Sequence, residues 1–241
     1  MLALIVFAVS AYQLFGIIKG YMDGRNEYEE IRDLAIESSG GDDEPEGFRV
    51  NFDELLAVNP DTIGWIRFYT GACDHQLSDR SGRGIMKNIC TRHFRRMRIL
   101  WERFCLNAGN SPDFTDRNSI VYGHRMKDGS MFRHLQDYED QSFWESNPYF
   151  YIYTPDGREI TYHIYSVGQV EDTSDTYLTS FASDEDYQAF LDMTKEISLY
   201  DTGVEVTTED TIVTLSTCTS ASDEHRFVVR GVKESEVNLN Q

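Results

Sequence analysis

Runs of apolar residues divide the chain into segments that predict strands more often than helices. Short apolar-rich runs separated by turn-forming residues are typical of strands. The segment Pro155-Asp156-Gly157-Arg158 lies between two such runs and predicts a hairpin turn. The predicted strands are 63–68, 118–123, 150–154, 159–167, 211–215 and 227–229. This pattern predicts a mostly-β chain, folded as a barrel or sandwich with a few helices.

Three segments have the spacing of amphipathic helices. The first, 52–58, follows Asn51, which can cap it, and ends at Asn59-Pro60. A short helix is predicted over 131–138, with Met131, Leu135 and Tyr138 facing inward.

The clearest helix is predicted over 183–200. Ser183 and Asp186 resemble a capping box, and acidic residues fill the first turn. Its apolar face comprises Tyr187, Phe190, Leu191 and Ile197.

The N-terminal part differs from the rest. Residues 1–18 are free of charge and about long enough to cross a bilayer, which favours a single-pass membrane anchor over a cleaved signal peptide or a buried helix. Residues 19–47 predict a helical stem and an acidic linker, because 21–37 is charged with helical spacing and 38–47 is rich in Ser, Gly and acids. We place the domain boundary there and assign 48–241 to one main domain.

Charge and cysteine content narrow the function classes. The formal net charge of −19 argues against nucleic acid as a partner, because phosphate binding requires a basic surface. The four cysteines show no spacing that indicates a disulfide framework.

Residues 69–105 have a different composition, with eight basic residues against three acidic ones. Three interpretations are open. The span is a basic insertion with an amphipathic helix over 91–106, or a metal site formed by Cys73-x-His75 and Cys90-x-x-His93, or a stretch translated in a shifted reading frame. We favour the shifted frame, because the composition changes abruptly at both ends and no strand pattern is visible between them. We expect no metal and no cofactor.

Candidate chemistry centres on Cys218, at the end of the predicted strand that closes with Thr-Leu-Ser-Thr-Cys. A cationic neighbour favours the thiolate of a cysteine, and Arg226 opens the next predicted strand. Arg230 competes with Arg226 because residues four apart share a face of a strand. His124, at the end of Val121-Tyr122-Gly123-His124, is the third candidate. The remaining assignments concern residues of lower priority: Ser216 and Thr217 as pocket residues beside the thiol, and His134, His163 and His225 as surface or packing residues.

The order and spacing of several motifs resemble those of class B sortases, the cysteine transpeptidases of Gram-positive cell surfaces. The matching segments are Asn59-Pro60-Asp61-Thr62-Ile63-Gly64-Trp65, Ser111-Pro112-Asp113-Phe114, Arg117 to His124, Thr214 to Cys218 and Arg226-Phe227-Val228-Val229. The helix near 183–200 resembles the extra helix of class B. The resemblance covers about 1–68 and 106–233, whereas 69–105 departs from it, where the family has barrel strands.

The resemblance implies a closed sortase-type β-barrel and a specific reaction. Cys218 would attack the carbonyl of a sorting-motif peptide, His124 would protonate the leaving amine, and Arg226 would hold the oxyanion. The thioester would then pass to an amine of a peptidoglycan precursor, outside the membrane. The alternatives are a pilin-polymerising enzyme and a protein made inactive by loss of barrel strands in 69–105. The sorting motif of the family is of the Asn-Pro-Gln-Thr-Asn or the Leu/Ser/Pro-Pro-x-Thr-Gly type, and the sequence does not choose between them.

Overall fold

Eight strands form a closed barrel in the computed structural model of the chain. The structure describes residues 7, 10–16, 19, 30–37, 48–68, 74–78, 104–125, 131–219 and 224–240, with the backbone alone for 74–78 and residue 37. The strands are β1 (Ile36–Glu37), β2 (Arg49–Val50), β3 (Thr62–Arg67), β4 (Asp74–Ser78), β5 (Phe104–Leu106), β6 (Asn118–Gly123), β7 (Tyr149–Tyr153), β8 (Arg158–Glu171), β9 (Ile212–Cys218) and β10 (His225–Asn238). The helices are α1 (Phe52–Val58), α2 (Gln141–Ser146) and α3 (Asp184–Glu196), with 3₁₀ helices η1 (Phe132–Glu139) and η2 (Asp175–Tyr177).

The barrel order is β10-β8-β7-β3-β4-β5-β6-β9, and pairing of β9 with β10 closes it. The β4–β5 and β6–β9 pairs are parallel, and the other barrel pairs are antiparallel. Closure removes the exposed strand edges that invite aggregation. The closed barrel confirms the predicted mostly-β sortase fold.

The span 69–105 contributes two strands to this barrel, so the expectation of no strand pattern there was wrong at both places. β4 pairs with β3 on one side, and β5 pairs with β6 on the other. Phe104 is buried and its ring meets Phe132 edge-on, with centroids 4.5 Å apart. The alternative of a helix over 91–106 is wrong for Phe104–Leu106, which is strand. The loss of barrel strands, on which the inactive-protein alternative depended, is not observed.

The barrel interior is rich in aromatic side chains. Phe150 and Tyr162 stack with their centroids 5.1 Å apart, and both are fully buried. The predicted inward residues of the 131–138 segment, Met131, Leu135 and Tyr138, are buried against this interior, although the segment is a 3₁₀ helix. Burial of apolar side chains is the main stabilising contribution to such a core.

Helix α3 covers the outer face of β8, β9 and β10. Ser183 caps it as predicted, and its side chain accepts a hydrogen bond from the Asp186 amide at 3.1 Å. Tyr187, Phe190 and Leu191 are buried in one cluster with side chains of the sheet. The helix ends at Glu196, so the predicted end at residue 200 was too late, and Ile197 is the C-cap.

Other local predictions are confirmed. Helix α1 starts after Asn51, whose side chain accepts from the Glu54 amide at 3.1 Å, and ends before Asn59. The hairpin between β7 and β8 turns at Gly157, whose φ of 87° lies in the left-handed region that favours glycine.

Part of the described chain before residue 48, within 30–37, packs on the barrel. Residues 30–35 are helical, and 36–37 form β1, where a helix was predicted. β1 pairs with β2, and the Asn51 amide donates to the Ala35 carbonyl at 2.7 Å. Ala35 is fully buried in a cluster with Leu55 and Trp65. In the part of the chain that the structure describes, no helix is long and apolar enough to span a bilayer.

Candidate active site

Register places the three candidate residues in one row across neighbouring strands. β6 and β9 run parallel, with Asn118 opposite Ile212 and Tyr122 opposite Ser216. β6 ends at Gly123, and His124 follows two residues after Tyr122, as Cys218 follows two residues after Ser216. On the other side of β9, Cys218 is paired directly with Arg226 of β10. Side chains of directly opposed residues project from the same face of a sheet and lie close together. His124, Cys218 and Arg226 therefore share one face.

That face is the outer one. Val213 and Leu215 belong to the interior cluster, so the alternate residues Thr214, Ser216 and Cys218 face outward. Cys218 and His124 are both partly exposed. A nucleophile must be reachable by its substrate, and this position satisfies that requirement.

Arg226 is held in a defined place beside Cys218. Its side chain is 3% exposed, and Nη2 donates to Asp172 Oδ2 at 3.4 Å in an ion pair. Nη1 donates to the His225 carbonyl at 2.8 Å. A guanidinium offers several donors in a rigid plane, which suits it to hold a carbonyl or an oxyanion. Sequence reasoning missed Asp172, because it is distant in the chain from every motif.

Arg230, the rival of Arg226, lies four residues further along β10 and is fully buried. Nη1 donates to Ser166 Oγ at 3.0 Å and Nη2 to Thr176 Oγ1 at 3.1 Å. Burial lowers the pKa of this guanidinium. It is paired with Thr214 and not with Cys218, so position favours Arg226.

His124 follows directly after β6, and its carbonyl accepts a hydrogen bond from the Phe132 amide at 3.0 Å. The preceding residue, Gly123, is packed so tightly that an added Cβ would lie 2.5 Å from Phe104 Cε1. Burial lowers the pKa of the His124 imidazole below its ordinary value. A lower pKa makes the imidazolium a stronger acid toward a leaving amine.

Two tyrosines that the sequence analysis missed lie beside the row. The rings of Tyr122 and Tyr177 stack with centroids 5.9 Å apart. The hydroxyls of Tyr177 and Ser216 are hydrogen-bonded at 2.9 Å. Tyr122 faces outward two residues before His124, and that spacing was the only signal available in the sequence.

The segment that carries Tyr177 is tied to the sheet by Asn118. Asn118 Nδ2 donates to the Leu178 carbonyl at 2.8 Å and the Thr176 carbonyl at 3.3 Å. Its Oδ1 accepts from Thr214 Oγ1 at 2.8 Å. Asn118 and Thr214 lie on the outer face of β6 and β9, six residues before His124 and four residues before Cys218.

The two predicted pocket residues face opposite ways. Ser216 shares the face of Cys218, whereas Thr217 shares the face of Leu215 in the interior. Thr217 is buried, and its hydroxyl has no hydrogen-bond partner among the described residues. The strand alternation therefore directs the side chain of Thr217 away from the face of Cys218, and a role for this residue beside the thiol, through its side chain or its backbone, stays a prediction.

Among the other described histidine side chains, His225 follows the row and contributes its carbonyl to Arg226, whereas His134 and His163 have partners elsewhere. His134 Nδ1 is 2.6 Å from Asp137 Oδ2, and the His163 ring contacts Tyr149 with centroids 4.4 Å apart. No group of metal-binding side chains occurs among the residues that the structure describes. The side chains of Cys73, His75, Cys90 and His93 lie outside those residues, so the metal alternative is not tested there.

Comparison with known proteins identifies the family. The Sortase domain family model matches residues 96–234. Sortase B of Staphylococcus aureus is 33% identical over 182 residues, which are 74% of this chain and 72% of that protein. Sortase B of B. anthracis in complex with AAEK1 has a TM-score of 0.72 and 29% identity, covering 90% of this chain and 98% of that chain. A sortase B structure complexed with triglycine has a TM-score of 0.64 and 30% identity, covering 78% of this chain and 86% of that one.

The barrel matches solved sortase B structures. It carries the Thr-Leu-Ser-Thr-Cys strand end, the outward row of three residues and the extra helix α3. The chain therefore belongs to the sortase family and is a class B sortase, a cysteine transpeptidase.

Proposed function

We propose that Cys218, His124 and Arg226 perform the transpeptidation together, and that the shared row across β6, β9 and β10 is the observation that supports it most strongly. The nucleophile, the acid and the cationic donor of an acyl transfer must be adjacent. The proposal is supported by the pairing of Arg226 with Cys218, and by the position of His124 directly after β6, which runs parallel to β9. Family relatives are cysteine transpeptidases.

The first half-reaction forms a thioester. The Cys218 thiolate attacks a backbone carbonyl of the sorting motif, a C–S bond forms, and the carbonyl oxygen becomes an oxyanion. Arg226 donates hydrogen bonds to that oxygen, where negative charge develops. The oxyanion then collapses, the peptide C–N bond breaks, and the His124 imidazolium gives its proton to the leaving amine.

The second half-reaction transfers the acyl group from the thioester to an amine and regenerates the free enzyme. An amine of a cell-wall precursor attacks the thioester carbon, and neutral His124 takes the proton from the attacking nitrogen. The C–S bond breaks and Cys218 leaves as thiolate. A solved sortase B in complex with triglycine supports a glycine amine as acceptor for this chain.

The test is cleavage of fluorogenic sorting-motif peptides by the full chain, with triglycine as acceptor. Peptides of the Asn-Pro-Gln-Thr-Asn and Leu-Pro-x-Thr-Gly types establish which motif is used. Cys218→Ala should abolish cleavage and the triglycine product. Cys105→Ala, at the other described cysteine, in β5, is the matched control and should keep activity. Equal cleavage by wild type and Cys218→Ala would exclude Cys218 as the nucleophile.

We propose that residues 1–18 anchor the enzyme in the cell membrane by a single span, that 19–47 form the stem and linker, and that the catalytic domain 48–241 faces the exterior. The apolar composition of 1–18 and the extracellular location of peptidoglycan amines support this arrangement. Protease treatment of intact cells tests it. Digestion of the domain from outside, with the N-terminal fragment left in the membrane, is expected, whereas a protected domain would contradict it.

A further inference from the structure

Asp172 contacts the end of the β9–β10 hairpin in two ways. Its carboxylate Oδ2 accepts from Arg226 Nη2 at 3.4 Å. Its backbone amide donates to the Glu224 carbonyl at 2.9 Å. Asp172 directly follows β8, whose Val170 is paired with Arg226. Asp172 is therefore bound twice to this part of the chain. Its backbone amide bonds to Glu224, two residues before Arg226, and its carboxylate bonds to Arg226 itself.

The contact lies at the boundary between buried and exposed regions. The Arg226 side chain is 3% exposed, and that of Asp172 is 21% exposed. A buried guanidinium without a carboxylate carries a large desolvation cost. The Asp172 carboxylate offsets that cost by pairing with Arg226, and it contacts the guanidinium at Nη2.

The direction of this contact restricts the guanidinium. With Nη2 on Asp172 and Nη1 on the His225 carbonyl, its plane is set by two acceptors. A planar fork held at two points cannot rotate about its Nε–Cζ bond without breaking a charge-assisted hydrogen bond.

We propose that Asp172 is a positioning residue for the transpeptidation, acting through Arg226. This proposal rests on the proposed function, in which Arg226 holds the oxyanion. Oxyanion stabilisation depends on donors that are oriented before charge develops, because no reorganisation is then needed during the reaction. Asp172 itself contacts neither substrate nor thiol in this role.

The experiment uses three variants of the full chain. Asp172→Asn keeps the shape of the side chain and removes its charge. Asp172→Glu keeps the charge. Glu171→Gln is the matched control, because Glu171 is exposed, adjacent in sequence and loses the same charge. Unfolding midpoints of all variants are measured first, and each assay is run well below the lowest midpoint.

Two measurements follow. Nitrogen NMR of the arginine side chains reports rotation of the Arg226 guanidinium: its two Nη signals should be separate in wild type and Glu171→Gln and averaged in Asp172→Asn. For peptide cleavage, kcat should fall about tenfold in Asp172→Asn, as expected when one charge-assisted hydrogen bond that orients a catalytic group is lost. Asp172→Glu should recover most of that loss, KM should change less than twofold, and Glu171→Gln should stay within twofold of wild type.

The outcomes separate this proposal from the function on which it rests. Unchanged Nη signals in Asp172→Asn would overturn the positioning role whether or not the enzyme cleaves the peptides used. Equal losses of kcat in Asp172→Asn and Glu171→Gln would also overturn it, because general charge would then be the cause. Failure of wild type to cleave any sorting peptide would refute the proposed function alone.

Discussion

Substitution of Gly231 by alanine tests how tightly β10 is packed against the barrel interior. A Cβ added at Gly231 would lie 2.5 Å from Phe150 Cε1 and 2.8 Å from Tyr162 Cβ. Both neighbours are fully buried, and their rings stack at an interplanar angle of 9°. Neither ring can retreat without losing that packing. Gly231 also lies where the β10–β8 register shifts, which limits movement of the backbone.

The expected cost follows from two opposing effects. Overpacking a well-filled core costs about 1–3 kcal/mol. Alanine also reduces the conformational freedom of the unfolded chain, which raises the free energy of unfolding by about 0.4–1 kcal/mol. We expect Gly231→Ala to lower the free energy of unfolding by about 1.5 kcal/mol, and the melting temperature by about 3–6 °C for a domain of this size.

The assay is urea unfolding of the full chain followed by circular dichroism, with Gly109→Ala as control. A Cβ at Gly109 would meet its nearest neighbours at 3.5 and 3.6 Å, which is ordinary contact, so its effect should stay within about 0.5 kcal/mol. Gly231 is paired with the interior residue Val213, so the cleavage rate of folded Gly231→Ala should match wild type. A change in stability below about 0.5 kcal/mol for Gly231→Ala, or an equal loss for Gly109→Ala, would refute the packing argument.

Three further predictions concern the site. Asn118→Ala removes the two hydrogen bonds that hold the Tyr177 segment and the one that Thr214 donates, and should cost about 2–4 kcal/mol in urea unfolding; a cost below about 1 kcal/mol would mean that these bonds contribute little. Burial lowers the pKa of His124 from 6.5, so the unfolded chain takes up more protons below that value, and wild-type stability should fall between about pH 7.5 and 5.5. His124→Gln should lose less stability over that interval, and an identical loss would show that His124 is not the source. Arg230→Met should retain most of the stability because it fills the site without a buried charge, whereas Arg230→Ala leaves a cavity and should cost about 3 kcal/mol more by thermal unfolding; equal costs would contradict this reasoning.

Residues 69–105 have an unusual composition, but strands near both ends of this span belong to the barrel. β4 and β5 lie within the span or at its border, and the family model matches from residue 96. Translation from a shifted frame stays a prediction, and the other two frames of the coding DNA test it. Absence of an alternating strand pattern in both frames would reject it.

Local sequence signals predicted most elements and failed where an element depends on distant partners. Asn51 and Ser183 cap the helices they were predicted to cap, because capping involves only residues two or three apart. β10 continues to Asn238, far beyond the predicted 227–229, because its second half pairs with β8 and has exposed polar residues. Helix α2 was missed, because its six residues carry no apolar stripe of useful length.

The sequence by itself determined the strand that ends at Cys218, the family and the choice of Cys218 and His124 as candidates, because these depend on short motifs in a fixed order. Only the tertiary structure decided that β6 lies parallel to β9, with Tyr122 opposite Ser216 just before His124 and Cys218. It also decided that Arg226 lies opposite Cys218 in the sheet and is paired with Asp172, while Arg230 is buried with hydrogen bonds to Ser166 and Thr176. Register and burial arise from pairing between segments far apart in the chain, and no local pattern contains that information.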